Sequence, residues 1–237
     1  MIPWVHIDKA AIPGGGELRL KRRGAEFSIS LGTNELMNSR LSGSEEALAT
    51  LPCTRLSERE RAAVLIGGLG MGFTLRAALG VLGPKARIVV AELVPQVVAW
   101  ARGPMAEIFH GSLDDPRVAI HEGDVGALIG RAHEAYDAIL LDVDNGPEGF
   151  TTEANDALYG PAGLASARRA LRPGGILAVW SAVPDRAFES RLRRTGFQVE
   201  VEKVRAHAGR SGSRHVIWLA TRPGGARAQV VARSPRP

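Results

Sequence analysis

The chain has a single cysteine, Cys53, among its 237 residues, so no internal disulfide framework can brace it. That usage fits a reducing, cytoplasmic setting. Aromatics are scarce at 5%. The tryptophans at 4, 100, 180 and 218 fall in predicted strands or helices and do not interleave with basic clusters, as a base-stacking surface would require. The net charge of +5 is therefore read as scattered arginine, not as a nucleic-acid face. No run approaches the roughly 20 apolar residues of a membrane span. The N-terminal MIPWVHIDKA lacks a basic segment followed by an apolar one, so no signal peptide is expected. The six histidines show no metal-ligand spacing, and none is assigned to a metal.

Glycine, by contrast, is plentiful and concentrated where it matters. The run VLIGGLGMGF at 64–73 reads as a short buried strand, a turn almost without side chains, and the start of an apolar helix. Gly67, Gly68, Gly70 and Gly72 would let backbone N–H groups and a helix N-terminus approach a ligand closely. The next strand ends in Glu92, 20 residues after Gly72. An acid at that strand tip is placed to hold the two hydroxyls of a ribose. The pair points to a nucleoside cofactor.

Residues 1–52 read as a β-rich region with strands at 4–7, 17–21 and 27–31, then a short helix over 44–51 that stops before Pro52. Residues 53–221 alternate. Strands are expected at 62–66, 87–91, 118–122, 138–141 and 176–180. Helices are expected at 74–82, 96–109, 125–131, 155–171 and 186–195. Near-continuous apolar strands separated by helices imply a parallel sheet covered on both faces. Strands at 197–204 and 216–221 have no helix between them, so an antiparallel hairpin closes the sheet. Residues 222–237 read as a disordered basic tail.

A G-x-G-x-x-G dinucleotide fingerprint is not met, because the spacing is Gly68-x-Gly70-x-Gly72 and Phe73 follows. Asp124 follows the third strand in HEGD, where it can reach an adenine amino group or cap the next helix. Asp142 follows the fourth strand in AILLDVDN, and LRPGG at 171–175 leads into the fifth. In this order, with the closing hairpin, the features resemble the Rossmann-like class I S-adenosylmethionine-dependent methyltransferase fold. The resemblance extends to the spermidine synthase (polyamine aminopropyltransferase) family. SEEALATLP at 44–52 is similar to the helix ending in Leu-Pro that precedes that family's core. Asp142-Val143-Asp144-Asn145-Gly146-Pro147 is similar to its DSxDPxGP motif, and EGFTTEANDALYG at 148–160 to the stretch that follows.

The resemblance implies a donor, S-adenosylmethionine or its decarboxylated form, held by the glycine turn, Glu92 and Asp124. It implies a small-molecule amine or similar acceptor. Asp142 is the expected catalytic carboxylate, and Asp144, Asn145 and Glu148 form the expected acceptor loop, unless that loop is merely a solvated one. Two positions depart from the family. Gly70 stands where the GGGDGG loop carries an Asp, and Ser44 stands at the substrate-pocket Tyr. These losses favour methyl transfer to a small molecule as the first expectation. The alternatives are aminopropyl transfer to a diamine, and a non-catalytic nucleoside-binding or interaction protein. A homodimer is expected, since the small N-terminal region buries little on its own and the family uses it in oligomer contacts.

Overall fold

The computed structural model describes residues 2–13, 15–143, 157–206 and 214–224. The N-terminal region is a four-stranded antiparallel meander, β1 (Val5–Ala11), β2 (Glu17–Arg23), β3 (Glu26–Leu31) and β4 (Asn34–Asn38), paired in that order. Strand β4 is not expected from the sequence. NELMN has little β-propensity, and pairing with β3 across the Gly32 turn makes it a strand. The meander is tied to the rest of the chain through Asp8 on β1. Its carboxylate accepts from Gln96 Nε2 at 2.6 Å and from the indole N–H of Trp100 at 2.8 Å.

The core is a seven-stranded sheet. Its strands are β5 (Ala63–Gly67), β6 (Arg87–Glu92), β7 (Val118–Glu122), β8 (Tyr136–Leu141), β9 (Leu171–Ser181), β10 (Gln198–Arg205) and β11 (Arg214–Thr221). They lie in the order β10-β11-β9-β8-β5-β6-β7. All neighbours are parallel except the pairs β10–β11 and β11–β9, so the expected closing hairpin is present. Alternate residues of each central strand feed two apolar layers. Val64, Ile66, Leu140 and Ala178 face one, and Leu65, Ile139, Leu177 and Val179 the other. Burial on both faces is why these strands read as continuous apolar runs.

Helices cover the sheet: α1 (Gly43–Arg55), α2 (Phe73–Val81), α3 (Pro95–Arg102), α4 (Ala106–Phe109), α5 (Val125–Arg131), α6 (Pro161–Ala170) and α7 (Arg186–Arg194). Three expectations fail here, one of them the helix over 155–171, which is interrupted at Gly160 so that α6 starts at Pro161. Helix α1 runs through Pro52, because Leu48, Ala49 and Cys53 are fully buried on its inner face. That burial outweighs the one hydrogen bond the proline forfeits. The single helix expected over 96–109 breaks at Gly103-Pro104 into α3 and α4, as a proline disfavours helical backbone just before it. Strand β9 begins at Leu171, five residues earlier than expected, where Leu171 pairs with Tyr136. Arg222, assigned to the tail by sequence, is held in place by two backbone bonds. Its N–H donates to Gly175 at 2.8 Å and its carbonyl accepts from Gly174 at 2.9 Å. The rest of the expected tail, from 225 onward, lies outside the described residues.

Strand order reverses at β5 and β8. One crossover leaves β5 toward β6, and the other returns from β7 to β8. A crevice opens beyond the carboxyl ends of strands at such a switch point.

Candidate active site

At that switch point the main chain leaving β5 is hydrogen-bonded to both neighbours, β8 and β6. Asp142 N–H donates to Gly67 O at 3.0 Å, and Gly68 N–H donates to Ala91 O at 2.9 Å. Gly68 has φ +92, and a Cβ there would stand 2.5 Å from the carbonyl oxygen of Asp142, so glycine is required on both counts. Gly72, at φ +77, starts α2 and lies against the ring of Phe109.

A cavity of about 450 Å³ lies over this turn, within the usual range for small-molecule sites. Of the residues singled out in the sequence, Gly68, Gly70, Gly72, Glu92, Asp124 and Asp142 all line it. Gly67 does not. It ends β5 with its Cα face packed on Leu141 and Val125, so its role is to let the sheet and α5 close up. The acceptor-loop residues Asp144, Asn145 and Glu148 lie outside the described residues.

Glu92 is 8% exposed and bridges two loops. Its Oε2 accepts the Leu69 amide at 2.9 Å and its Oε1 the Val94 amide at 2.9 Å. Burial pushes its carboxyl above the ordinary glutamate range, and amides including those of Val94 and Leu69 oppose this. Asp124 accepts the Gly126 amide at 2.8 Å and so caps α5, while still facing the cavity. Both readings of this residue, cap and ligand contact, fit one geometry.

Asp142 is half-buried and lines the cavity. Burial first, and then the nearby carboxylate of Glu45, push it from 3.8 to about 7. Thr74 Oγ1, at 3.2 Å from Asp142 Oδ2 and 3.2 Å from Glu45 O, joins the two elements. Burial also raises Glu45, which stands in the first turn of α1. Sequence reasoning passes over Glu45, although SEEALATLP contains it. It also passes over His215 on β11, whose Nδ1 lies 2.9 Å from Ser44 Oγ. Trp180, at the end of β9, meets the His215 ring edge-on at 4.8 Å between centroids, and both line the cavity. Met37 of β4 covers the glycine turn, with its sulfur 3.2 Å from where a Gly70 Cβ would be.

Cys53 is buried and its thiol is pushed up to about 12, so it is inert at neutral pH. Among the described residues no group of three or more His, Cys, Asp or Glu could hold a metal ion. No helix there is long and apolar enough to cross a membrane.

A nucleoside-sized cavity at the switch point of this sheet, closed by an antiparallel hairpin, defines a class I methyltransferase-like fold. Residues 42–189, more than half of the chain, match the family described as the spermine/spermidine synthase domain, and the chain belongs to that family. It is similar to the polyamine aminopropyltransferase of Nitrosomonas europaea, at 34% identity over 119 residues, 50% of this chain and 34% of that protein. It is also similar to polyamine aminopropyltransferase 2 of Pseudomonas aeruginosa, at 32% identity over 136 residues, 56% of this chain and 36% of that protein. The chain thus spans about a third of the length of these relatives. The spermidine synthase of Thermotoga maritima shares the fold with a TM-score of 0.71 at 16% identity, over 93% of this chain and 73% of that one. These relatives favour the aminopropyl alternative and give no support to methyl transfer, the first expectation from Gly70 and Ser44.

Proposed function

We propose that this protein transfers an aminopropyl group from decarboxylated S-adenosylmethionine to an amine acceptor. The observation that carries the proposal is the meeting of Asp142 and Glu45 in one cavity beside the glycine turn. Burial raises the proton affinity of both carboxylates, and Glu45 raises that of Asp142 further, so a cation between them stabilises their ionised forms. Both reactants are cationic, the donor through its sulfonium and tail ammonium and the acceptor through its ammonium. The names of the curated relatives point the same way.

The donor supplies the chemistry, since its sulfonium makes the adjacent carbon electrophilic. The chain supplies binding and alignment. The fit of the nucleoside half rests on the near-bare turn at Gly68–Gly72 and on the Glu92 carboxylate, which lines the cavity beside that turn. In this reading Asp124 meets the adenine edge, and Asp142 and Glu45 hold the ammonium groups in line. Ser44 and Gly70 leave room where bulkier family side chains stand, so the acceptor is shaped by Trp180, Met37 and His215 instead. The test is methylthioadenosine release with decarboxylated S-adenosylmethionine and a panel of amines. Release with S-adenosylmethionine only, accompanied by methylated product, would replace this reading with methyl transfer.

A further inference from the structure

Thr74 stands in the first turn of α2 and is 4% exposed. Its Oγ1 lies 3.2 Å from Asp142 Oδ2 and 3.2 Å from the main-chain carbonyl oxygen of Glu45. A hydroxyl has one proton to give and lone pairs with which to accept. It cannot donate fully to both oxygens at once. The two acceptors are therefore alternatives, and the protonation of Asp142 decides between them.

With Asp142 ionised, the Thr74 proton goes to Oδ2, because a bond to a charged oxygen is the stronger one. With Asp142 protonated on Oδ2, the acid O–H donates to Thr74 Oγ1 and the Thr74 proton turns to Glu45 O. Both arrangements use the same three oxygens, so neither form of Asp142 leaves the buried hydroxyl unpaired. Among the described residues no other side chain bonds to Asp142, and its Oδ1 has no partner there. Burial and the Glu45 carboxylate favour the acid form, and the Thr74 hydroxyl opposes both. The titratable groups that line the cavity with Asp142 are Glu35 of β4, Glu45 of α1, Glu92 of β6, Asp124 at the cap of α5 and His215 of β11. Lysine and arginine are absent from the described lining.

Only an ionised Asp142 attracts an ammonium or can take a proton from it. We propose that Thr74 is a positioning residue for the acceptor amine: its hydroxyl holds the Asp142 carboxylate by Oδ2, leaves Oδ1 to meet the ammonium, and turns to Glu45 O when Asp142 is an acid. The inference rests on the aminopropyl reading of the site. A valine at this position keeps the branched shape but can neither donate nor accept. A serine keeps the hydroxyl and both of its alternatives.

Two measurements test this on the full chain. The first needs no turnover. In carboxyl carbon-13 NMR of aspartate-labelled protein, the signal absent from Asp142→Asn should titrate near pH 7 in the wild type. It should titrate about 0.5–1 pH unit higher in Thr74→Val, the scale of one lost hydrogen bond, and return toward the wild type in Thr74→Ser. Equal midpoints in the wild type and Thr74→Val would overturn the proposal. The second is the pH profile of kcat/KM for methylthioadenosine release. Thr74→Val should run about 3- to 10-fold below the wild type at pH 6 and close on it at pH 9, as rising pH ionises Asp142 in both. Thr74→Ser should recover the wild-type profile. Methylthioadenosine affinity by calorimetry should be unchanged in both variants, which also shows that they fold. A Thr74→Val deficit of the same size at every pH would make Thr74 a packing residue, overturn the proposal and leave the aminopropyl reading standing. A wild type that transfers nothing to any amine would end both.

Discussion

Glu92 accepts the amide of Leu69 at 2.9 Å, so the tip of β6 is hydrogen-bonded to the glycine turn that follows β5. Its other oxygen accepts the Val94 amide, and the carboxylate therefore shapes the turn it is proposed to share with a ribose. Glu92→Ala should weaken methylthioadenosine binding by about 1.5–3 kcal/mol, the scale of lost charge-assisted hydrogen bonds. It should also lower the unfolding free energy, because two buried amides lose their acceptor. Calorimetry and urea unfolding check the two effects. Wild-type affinity in a folded Glu92→Ala protein would remove the residue from the site.

Asp142 gives the protein a pH signature. Its carboxyl is raised from 3.8 to about 7, so between those values the native state holds a proton that the unfolded chain has released. Stability attributable to this group is present below pH 4 and is lost as the pH rises toward 7. Asp142→Asn removes that dependence. The variant should gain stability over the wild type with rising pH, by on the order of 1–3 kcal/mol at pH 8 relative to pH 4. It should also lose about 10- to 100-fold in kcat/KM, as an ammonium loses its charged partner. Parallel urea-unfolding curves for the two proteins across this range would contradict the assignment.

Asp124 can be separated into its two roles. Serine caps a helix about as well as aspartate, but its shorter side chain falls short of an adenine. Asp124→Ser should keep the melting temperature within a few degrees and weaken methylthioadenosine about tenfold, or ~1.4 kcal/mol. Asp124→Ala should additionally cost about 0.5–2 kcal/mol of stability through the lost bond to Gly126. Unchanged affinity in the serine variant would leave Asp124 as a cap alone.

Two glycines close together in sequence should respond oppositely to alanine. At Gly72 a Cβ would lie 2.4 Å from Phe109, at φ +77, so Gly72→Ala should cost at least about 2 kcal/mol. At Gly80, inside α2, nothing lies within 4 Å of the added carbon. Gly80→Ala should stabilise by about 0.5–1 kcal/mol. Thermal unfolding of both checks the turn geometry directly.

What could be read from the sequence follows from distance along the chain. Gly68, Gly70, Gly72 and Glu92 belong to one strand–turn–helix–strand unit. The bond from Leu69 to Glu92 spans only 23 positions, so local pattern places it. Ser44 and His215 meet across 171 positions, and no periodicity announces such a pairing. Glu45 has the same difficulty, since nothing in SEEALATLP says that α1 delivers its first turn to Asp142. Within the fold, local rules fail where tertiary burial overrides them. Pro52 stays inside a helix whose inner face is fully buried, and Asn34–Asn38 becomes a strand by pairing alone. At Gly103-Pro104 the local rule holds, and it ends a helix that the apolar pattern alone would extend.

The central claim, an amine acceptor attacking an aminopropyl donor in the Asp142–Glu45 cavity, is tested most directly by following methylthioadenosine release. The assay uses decarboxylated S-adenosylmethionine with putrescine and a set of longer amines, with S-adenosylmethionine as the parallel donor. The account predicts release from the decarboxylated donor with at least one amine, near 1 s⁻¹ as for an ordinary enzyme, and none from S-adenosylmethionine. Release that depends on S-adenosylmethionine and yields a methylated product, or no release with any amine, would contradict it.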